Sequence, residues 1–328
     1  MSLPRAVFED AFRAHERFVW GLCYRLTGSA ADADDLVQET FVRAMERPPE
    51  RIDESWRPWL VRVAMNLGRD LLRRRKRRSY VGPWLPSPID TGEECSPPAY
   101  EPTIDGVSME GRYDLLESVS FAFLLALEAL SPQQRAVLLL RDVFDYSVRE
   151  TADALDMSEP NVKTTHHRAR AAMRAYDRER CVPTRALQER TREALERFLA
   201  SLASGDVAGI EGMLADSVRS VSDGAGQFFA ARVPILGPSR VARFHFKITS
   251  RQRLQAAHME IRMVNGLPAL IAELGEHRPG EPPRVVLRCD IDGDGRIKLL
   301  HSVVAREKLS AIRFPVSAAR LGPTSLTR

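Results

Sequence analysis

Between Gly82 and Gly111 the chain places Pro83, Pro86, Pro88, Pro97, Pro98 and Pro102 among glycine, serine and acidic residues, with little apolar periodicity. Proline fixes φ and brings no amide donor, so neither a helix nor a sheet ladder can run through this stretch. It reads as a stiff, extended linker, and what lies on either side must close its own core. On the N-terminal side, from Ala6 to about Arg75, apolar residues recur at helical spacing: Phe8 and Phe12, then Phe18, Val19, Leu22 and Leu26, then Leu36, Val37 and Phe41, then Leu60 to Leu71. Breaks fall at Thr27-Gly28-Ser29 and Arg47-Pro48-Pro49, which predicts a helical bundle.

A second helical segment runs from Leu115 to about Arg178 with clear punctuation. Ser131-Pro132 sets an N-cap before proline at the first helical position, and Ser147-Val148-Arg149-Glu150 has the form of a capping box. In "ALDMSEPNVKTTHHRARAAMR" a turn at Asp156-Met157 leads to a further cap at Ser158 and a helix rich in Lys, His and Arg. Two short helices about such a turn predict a helix-turn-helix.

From Thr184 onward the pattern changes. Two helices, around Ala186 to Leu202 and Asp206 to Leu214, precede strand-like runs at Val218–Ser222, Met259–Val264, Ala269–Leu274, Val285–Ile291 and Ile297–Val304. Asn265-Gly266 and Asp292-Gly293-Asp294-Gly295 supply turns. This order predicts an α+β domain, helices against a curved antiparallel sheet. A length of 328 residues suits several such cores, and 44% hydrophobic with 28% charged residues is a globular composition.

The net charge is +4, but its distribution says more: Arg73 to Arg78 are six consecutive cations. They end a stretch, "SWRPWLVRVAMNLGRDLLRRRKRR", in which Trp56, Trp59, Asn66 and Asp70 share one or two helices with positive charge. Aromatics beside cations suit unstacked single-stranded bases. The alternative is tryptophans in the core with arginines reaching to solvent, and Trp59 belongs to the periodic apolar set. In the helix after Ser158, Asn161, Lys163, Thr164, His167 and Arg168 occupy the first turns, where a recognition helix meets base edges.

Three segments in order, "ADADDLVQETFVRAM", "WLVRVAMNLGRDLLRRRKRR" and "ALSPQQRAVLLLRDVFDYSVRETADALDMSEPNVKTTHHRARAAM", resemble regions 2 and 4 of extracytoplasmic-function (ECF) sigma factors of bacterial RNA polymerase. "YVGPWLPSP", "SDGAGQ", "VNGLPAL" and "VAREKL" are similar to the subgroup that carries a SnoaL-like C-terminal domain. The resemblance implies that the helix Asp32 to Met45 docks on the β′ clamp of core polymerase through Asp32, Asp35, Gln38 and Glu39, with the β flap as a further contact. It assigns Asn66, Asp70, Arg73, Arg74 and Arg75 to opening and holding the minus 10 element, and Ser158, Asn161, Lys163, Thr164, His167 and Arg168 to reading the minus 35 element. Regulatory contacts are expected between Trp84, Leu85 and Pro86 of the linker and Asp223, Gly224, Gly226, Lys308 and Leu309 of the C-terminal domain. Ser87 stands where the subgroup usually has glutamate, Ala225 where it has glycine and Gln227 where it has lysine; of a closing Asn-Pro-Asp-Lys-Leu pattern only Lys308-Leu309 remains. The loss of that glutamate and lysine predicts a contact resting on apolar burial more than on a salt bridge.

The expected partition is therefore a region 2 helical domain at 1–80, a linker at 81–112, a helix-turn-helix region 4 at 113–180, a SnoaL-like domain at 184–312 and a tail at 313–328. A one-component helix-turn-helix regulator with a ligand domain is the competing reading, and a SnoaL-like enzyme fused to a DNA-binding module a third, with His245, His258, Asp223 and Asp290 as acid–base candidates. A small regulatory ligand in the C-terminal domain is compatible with either of the first two. Asp290, Asp292, Asp294 and Gly295 match the start of a calcium loop, but its twelfth position is His301, so a hairpin turn is expected and no metal or cofactor. Cys23, Cys95, Cys181 and Cys289 are scattered without a CxxC pair, the start lacks a signal-peptide core and no apolar run is long enough to span a membrane. A cytoplasmic protein without enzymatic activity is the expectation.

Overall fold

The computed structural model describes residues 5–49, 55–75, 80–92, 112–251, 256–275 and 278–314. Lys76, Arg77 and Arg78 of the cation run, Cys95, and Pro97, Pro98 and Pro102 of the linker lie outside them. The chain forms two compact units, Met1–Ser79 with Thr91–Pro183, and Tyr80–Asp90 with Thr184–Arg328. The first part of the proline-rich stretch thus belongs to the same unit as the C-terminal residues.

The first unit is helical: α1 (Arg5–Thr27), α2 (Ala30–Glu46), α3 (Arg57–Arg75), α4 (Phe121–Leu127), α5 (Pro132–Leu138), α6 (Val148–Leu155) and α7 (Glu159–Arg178). Leu22, Leu26, Leu36, Phe41, Leu60 and Met65 are buried among the first three helices. Gly68 permits the close approach of α3 to α1, since a Cβ there would lie 2.4 Å from a Leu26 methyl. Two buried arginines tie the helices before the linker to those after it. Arg25 donates to Ser118 Oγ at 2.7 Å, and Arg135 donates to the Leu26 and Leu127 carbonyls at 3.0 and 2.8 Å.

Ser131 and Ser147 both form complete capping boxes, with Gln134 and Glu150. Ser158 occupies the N-cap position of α7 in extended backbone, without a side-chain cap bond. Asp156 adopts the left-handed conformation, φ 54, that turns α6 into α7. Between α5 and α6 the helix widens into a π turn over Leu139–Val143 that carries Asp142.

In the second unit α8 (Arg185–Ser204), α9 (Val207–Gly212) and α10 (Pro238–Arg251) accompany a six-stranded sheet of order β2-β1-β6-β5-β4-β3. Its strands are β1 (Leu214–Asp223), β2 (Ile235–Leu236), β3 (Ala256–Val264), β4 (Leu267–Leu274), β5 (Arg284–Ile291) and β6 (Ile297–Val303). Leu195, Phe198, Val218, Val241, Leu287 and Leu300 join helices to sheet. The sheet is antiparallel except between its second and third strands, where β1 runs parallel to β6. The expected antiparallel sheet is thus present with one parallel pair in it: β2, α10 and β3 to β5 intervene between the two strands, so no hairpin links them.

Asn265 and Gly266, with φ 51 and 82, form the β3–β4 turn. Asp292 to Gly295 form the β5–β6 turn, where Asp292 Oδ1 accepts from the amides of Asp294 and Arg296 at 3.0 and 2.9 Å. Among the described residues no helix is long and apolar enough to cross a membrane.

Candidate functional site

Helix α7 buries Val162, Ala169, Met173 and Tyr176, a row at helical spacing that fixes its rotation. Asn161, Lys163, Thr164, His167 and Arg168 are thereby exposed, as is Ser158. Thr164 Oγ1 donates to the Pro160 carbonyl at 3.0 Å. The two cationic positions that sequence reasoning passed over hold the helix in place. His166 Nε2 lies 2.8 Å from Asp142 Oδ1, and Arg170 donates to both Asp142 oxygens at 3.0 and 2.6 Å. Burial opposes ionisation of Asp142, but these bonds outweigh it and hold the carboxyl below its ordinary range. The i, i+4 spacing of His166 and Arg170 beside the buried row was the available signal. At the far end of α7, Tyr176 Oη donates to buried Glu117 at 2.7 Å, and Arg180 also reaches that carboxylate.

On α3 the structure separates the predicted residues. Arg73 and Arg74 are exposed, with Arg73 paired to Asp70 at 2.9 Å. Arg75 instead donates to the Thr27 carbonyl at 3.2 Å and lies 3.5 Å from Asp32, covering the end of α1. Asn66 and Asp70, with Arg62, Arg69 and Arg73, line a polar groove whose other wall is Gln133, Asp156, Met157 and Asn161. Candidate residues for two different DNA elements therefore share one groove. Trp56 is in the core, whereas Trp59 is half-buried beside Arg43, Arg47 and Arg62 in a surface groove, contrary to the core placement expected from periodicity. On α2, Asp35, Gln38 and Glu39 are exposed at i, i+3 and i+4, while Asp32 is half-buried.

The residues expected to make regulatory contacts come together in the second unit. Asp223, fully buried at the end of β1, accepts from Tyr80 Oη at 2.6 Å, the Leu85 amide at 2.7 Å and the Ala225 amide at 3.1 Å. Lys308 Nζ meets the same carboxylate at 2.5 Å, donates to the Leu85 carbonyl, and stands 4.4 Å from the Trp84 ring centre and 5.0 Å from that of Tyr80. Gly226, with φ 74, lets its loop approach Val81: a Cβ there would be 3.2 Å from that side chain. Gly224 is similarly crowded by Ala230, and Leu309 is buried beside the lysine. Further along, Ile89 and Asn265 exchange two bonds, Ile89 N to Asn265 Oδ1 at 2.9 Å and Asn265 N to the Ile89 carbonyl at 3.0 Å. Asp90 pairs with Arg262 at 2.6 Å. Leu85, Pro86, Ser87, Pro88 and Ile89 are all buried.

A buried ion pair therefore sits at the centre of this clamp, which corrects the expectation of a contact resting mainly on apolar burial. Asp223 and the retained Lys308 hold the Leu85 end of the strap.

Three of the four acid–base candidates are engaged with other partners. Asp223 is engaged in the clamp, Asp290 pairs with buried Arg288 at 2.5 Å, and His245 Nε2 lies 2.9 Å from Ser220 Oγ. His258 lies on β3. Burial pushes the pKa of His245 down to about 4. Among the described residues no group of three or more potential metal ligands is assembled.

Comparison with known proteins bears on both units. The family profile of Sigma-70 region 2 matches residues 11–78, and that of Sigma-70, region 4 matches residues 120–173. The chain is 28% identical to the ECF RNA polymerase sigma factor SigJ of Mycobacterium tuberculosis over 97% of both sequences. It is 32% identical to the ECF RNA polymerase sigma factor SigL of the same species, over 53% of this chain and 88% of that one. The crystal structure of M. tuberculosis SigJ superposes with a TM-score of 0.68 at 26% identity, covering 92% of this chain and 98% of that one.

Proposed function

As the chain belongs to the ECF RNA polymerase sigma factors, in the subgroup with a SnoaL-like C-terminal domain, we propose that it directs core polymerase to one promoter class through the residues described above and is regulated in cis by the linker clamp. The exposed face of α2, Asp35, Gln38 and Glu39 with Asp32 at its edge, docks on the β′ clamp, and region 4 meets the β flap. Asn66, Asp70, Arg73 and Arg74 face the opened minus 10 strand; Arg75 supports them by fixing the α1–α2 turn. Asn161, Lys163, Thr164, His167 and Arg168 read the minus 35 duplex, with Ser158 at the helix start. The partition at 1–80, 81–112, 113–180 and 184–312 describes the functional modules, and the protein works in the cytoplasm without enzymatic activity of its own.

One observation carries this reading. The buried row of α7, locked by Asp142 and Glu117, leaves Asn161, Lys163, Thr164, His167 and Arg168 exposed together on the second helix of a helix-turn-helix. For the clamp, the support is that Asp223 and Lys308 together hold both the amide and the carbonyl of Leu85, a residue of the stretch joining the two modules. Run-off transcription with bacterial core polymerase on in vitro selected promoters tests the whole reading. Transcription that starts only when the chain is added supports it. DNA binding without any polymerase-dependent start supports a one-component regulator instead. For the clamp, Trp84→Ala is expected to change transcription by the full-length chain; equal activity of variant and parent removes the regulatory role.

A further inference from the structure

The second unit encloses a cavity of about 770 Å³. Its floor is one transverse row of the sheet. Ser222 of β1 faces Ser302 of β6, which faces Leu287 of β5, then Leu270 of β4, then Ile261 of β3, and all five line the cavity. The neighbouring row, Val285, Ala272 and Met259, is wholly apolar. The floor therefore has a polar end at β1–β6 and an apolar remainder.

At the mouth, Phe229 and Met259 are 77% and 57% exposed, large apolar side chains turned to water beside an apolar interior. Among the described lining residues Glu260 alone carries a fixed charge, and Arg262 pairs with it at 3.0 Å. An ion entering this space would lose its hydration with little to replace it, whereas an uncharged apolar body would gain by burial. The volume lies within the range of sites that enclose drug-sized molecules, about 300 to 1,000 Å³.

The polar end of the cavity abuts the clamp along the chain. Ser222 precedes Asp223, and Val304, another lining residue, donates its amide to the Asp223 carbonyl at 2.9 Å, as does Ala305 at 3.1 Å. A molecule held against Ser222, Ser302 and Val304 touches the residues that position the Asp223 carboxylate.

We propose that this cavity binds an uncharged, predominantly apolar small molecule carrying a hydroxyl or carbonyl group directed at Ser222 and Ser302, and that its occupation tightens the grip on residues 80–90. The coupling rests on the clamp being regulatory, as proposed above; the binding site does not. Binding and coupling are both tested on the full-length chain with Nile red, a neutral polycyclic carbonyl compound that brightens in apolar surroundings. Saturable binding of one probe per chain is expected. Ala272→Trp fills the floor and should weaken binding about tenfold or more by removing apolar contact area. Ile248→Trp fills the cavity from a position 37% exposed, so it serves should the first variant lose its native circular dichroism.

Hydrogen exchange provides the second readout. Saturating probe should slow exchange of the Leu85 amide about threefold or more, because a ligand favours the state that binds it. Nile red that fails to saturate, or that binds natively folded parent and filled variants equally, places the probe on the surface and overturns the site. Binding with unchanged Leu85 exchange overturns the coupling. Asp223→Ala without probe separates these outcomes from failure of the clamp reading: unchanged transcription would remove the regulatory role while leaving the cavity result untouched.

Discussion

Replacing Asp223 by alanine removes an acceptor that serves Tyr80 Oη, the Leu85 amide, the Ala225 amide and Lys308 Nζ. Lys308 is only 6% exposed, so the substitution leaves a buried ammonium without its carboxylate, a change that costs about 3–5 kcal/mol. The buried Leu85 amide adds about 1–3 kcal/mol if it finds no other acceptor. Tyr80, 39% exposed, recovers its bond from water. These terms overlap because residues 80–85 will move away together, so about 3 kcal/mol is a reasonable lower figure, roughly a hundredfold in the local opening equilibrium.

The second half of the strap has its own attachments, Ile89 with Asn265 and Asp90 with Arg262. The expected result is therefore uneven. Residue-resolved hydrogen exchange should show roughly hundredfold faster exchange at Leu85 while Ile89, whose amide donates to Asn265, stays protected. Since the ion pair is buried, raising salt from about 0.05 to 0.5 M should change exchange at Leu85 in the parent chain little. Equal loss at Leu85 and Ile89 would refute the division into two attachments. Unchanged exchange at Leu85 would refute the clamp itself.

Arg168→Ala and Lys163→Ala should each weaken promoter binding by about 1–3 kcal/mol where the side chain reaches a base edge, and less for a phosphate contact; fluorescence anisotropy with the polymerase complex decides. Arg73→Gln with Arg74→Gln should lower the salt slope of promoter affinity by about one to two, whereas Arg75→Gln should mainly lower thermal stability because it covers the end of α1. Asp142→Asn removes the carboxylate shared by His166 and Arg170 but keeps one acceptor oxygen, and Arg170 is 45% exposed, so the cost in urea unfolding should be about 1–3 kcal/mol; a loss below about 0.5 kcal/mol would show that it does not fix α7. Burial is the main cause that pushes both His245 and His301 down to about 4. With an unfolded value near 6.5, the unfolded chain binds more protons between these limits, so stability falls as pH drops through that window, by up to about 3 kcal/mol per histidine. Thermal melts of the parent and of His245→Gln should converge at low pH if this is right.

Local chemistry made much of the fold legible. Ser131, Ser147 and Asp156 mark helix ends through bonds to their immediate neighbours, and Asn265-Gly266 forms its turn by its own backbone preference. Helix α10 was not anticipated because Val241, Phe244, Phe246 and Ile248 belong to residue types that also favour strands; the preceding Gly237-Pro238 was the signal available. The parallel pairing of β1 with β6 and the convergence of Asp223, Lys308 and Leu85 join residues far apart in sequence, and no local pattern encodes them. The same holds for Trp59 and Arg75, whose surroundings depend on how neighbouring helices cross rather than on their own spacing.

The clamp also alters how the chain is connected. Because Tyr80–Asp90 belongs with the C-terminal residues, the segment Thr91–Pro183 leaves that unit at one end and rejoins it at the other. While either attachment of the strap holds, Leu85 at Asp223 or Ile89 and Asp90 at Asn265 and Arg262, Thr91–Pro183 is carried on a closed loop; when the Leu85 contact alone opens, the loop stays closed and the free path from α3 lengthens to Ile89. Loop closure depends only logarithmically on length, so that lengthening itself costs little. The number of tethers changes only when the second attachment opens as well, and with it the effective concentration at which α3 and α7 meet each other. Asp223 thus sets the length of the free path that leaves α3, and Ile89 with Asp90 sets whether the polar groove shared by Asn66 and Asn161 is formed between parts tethered once or twice.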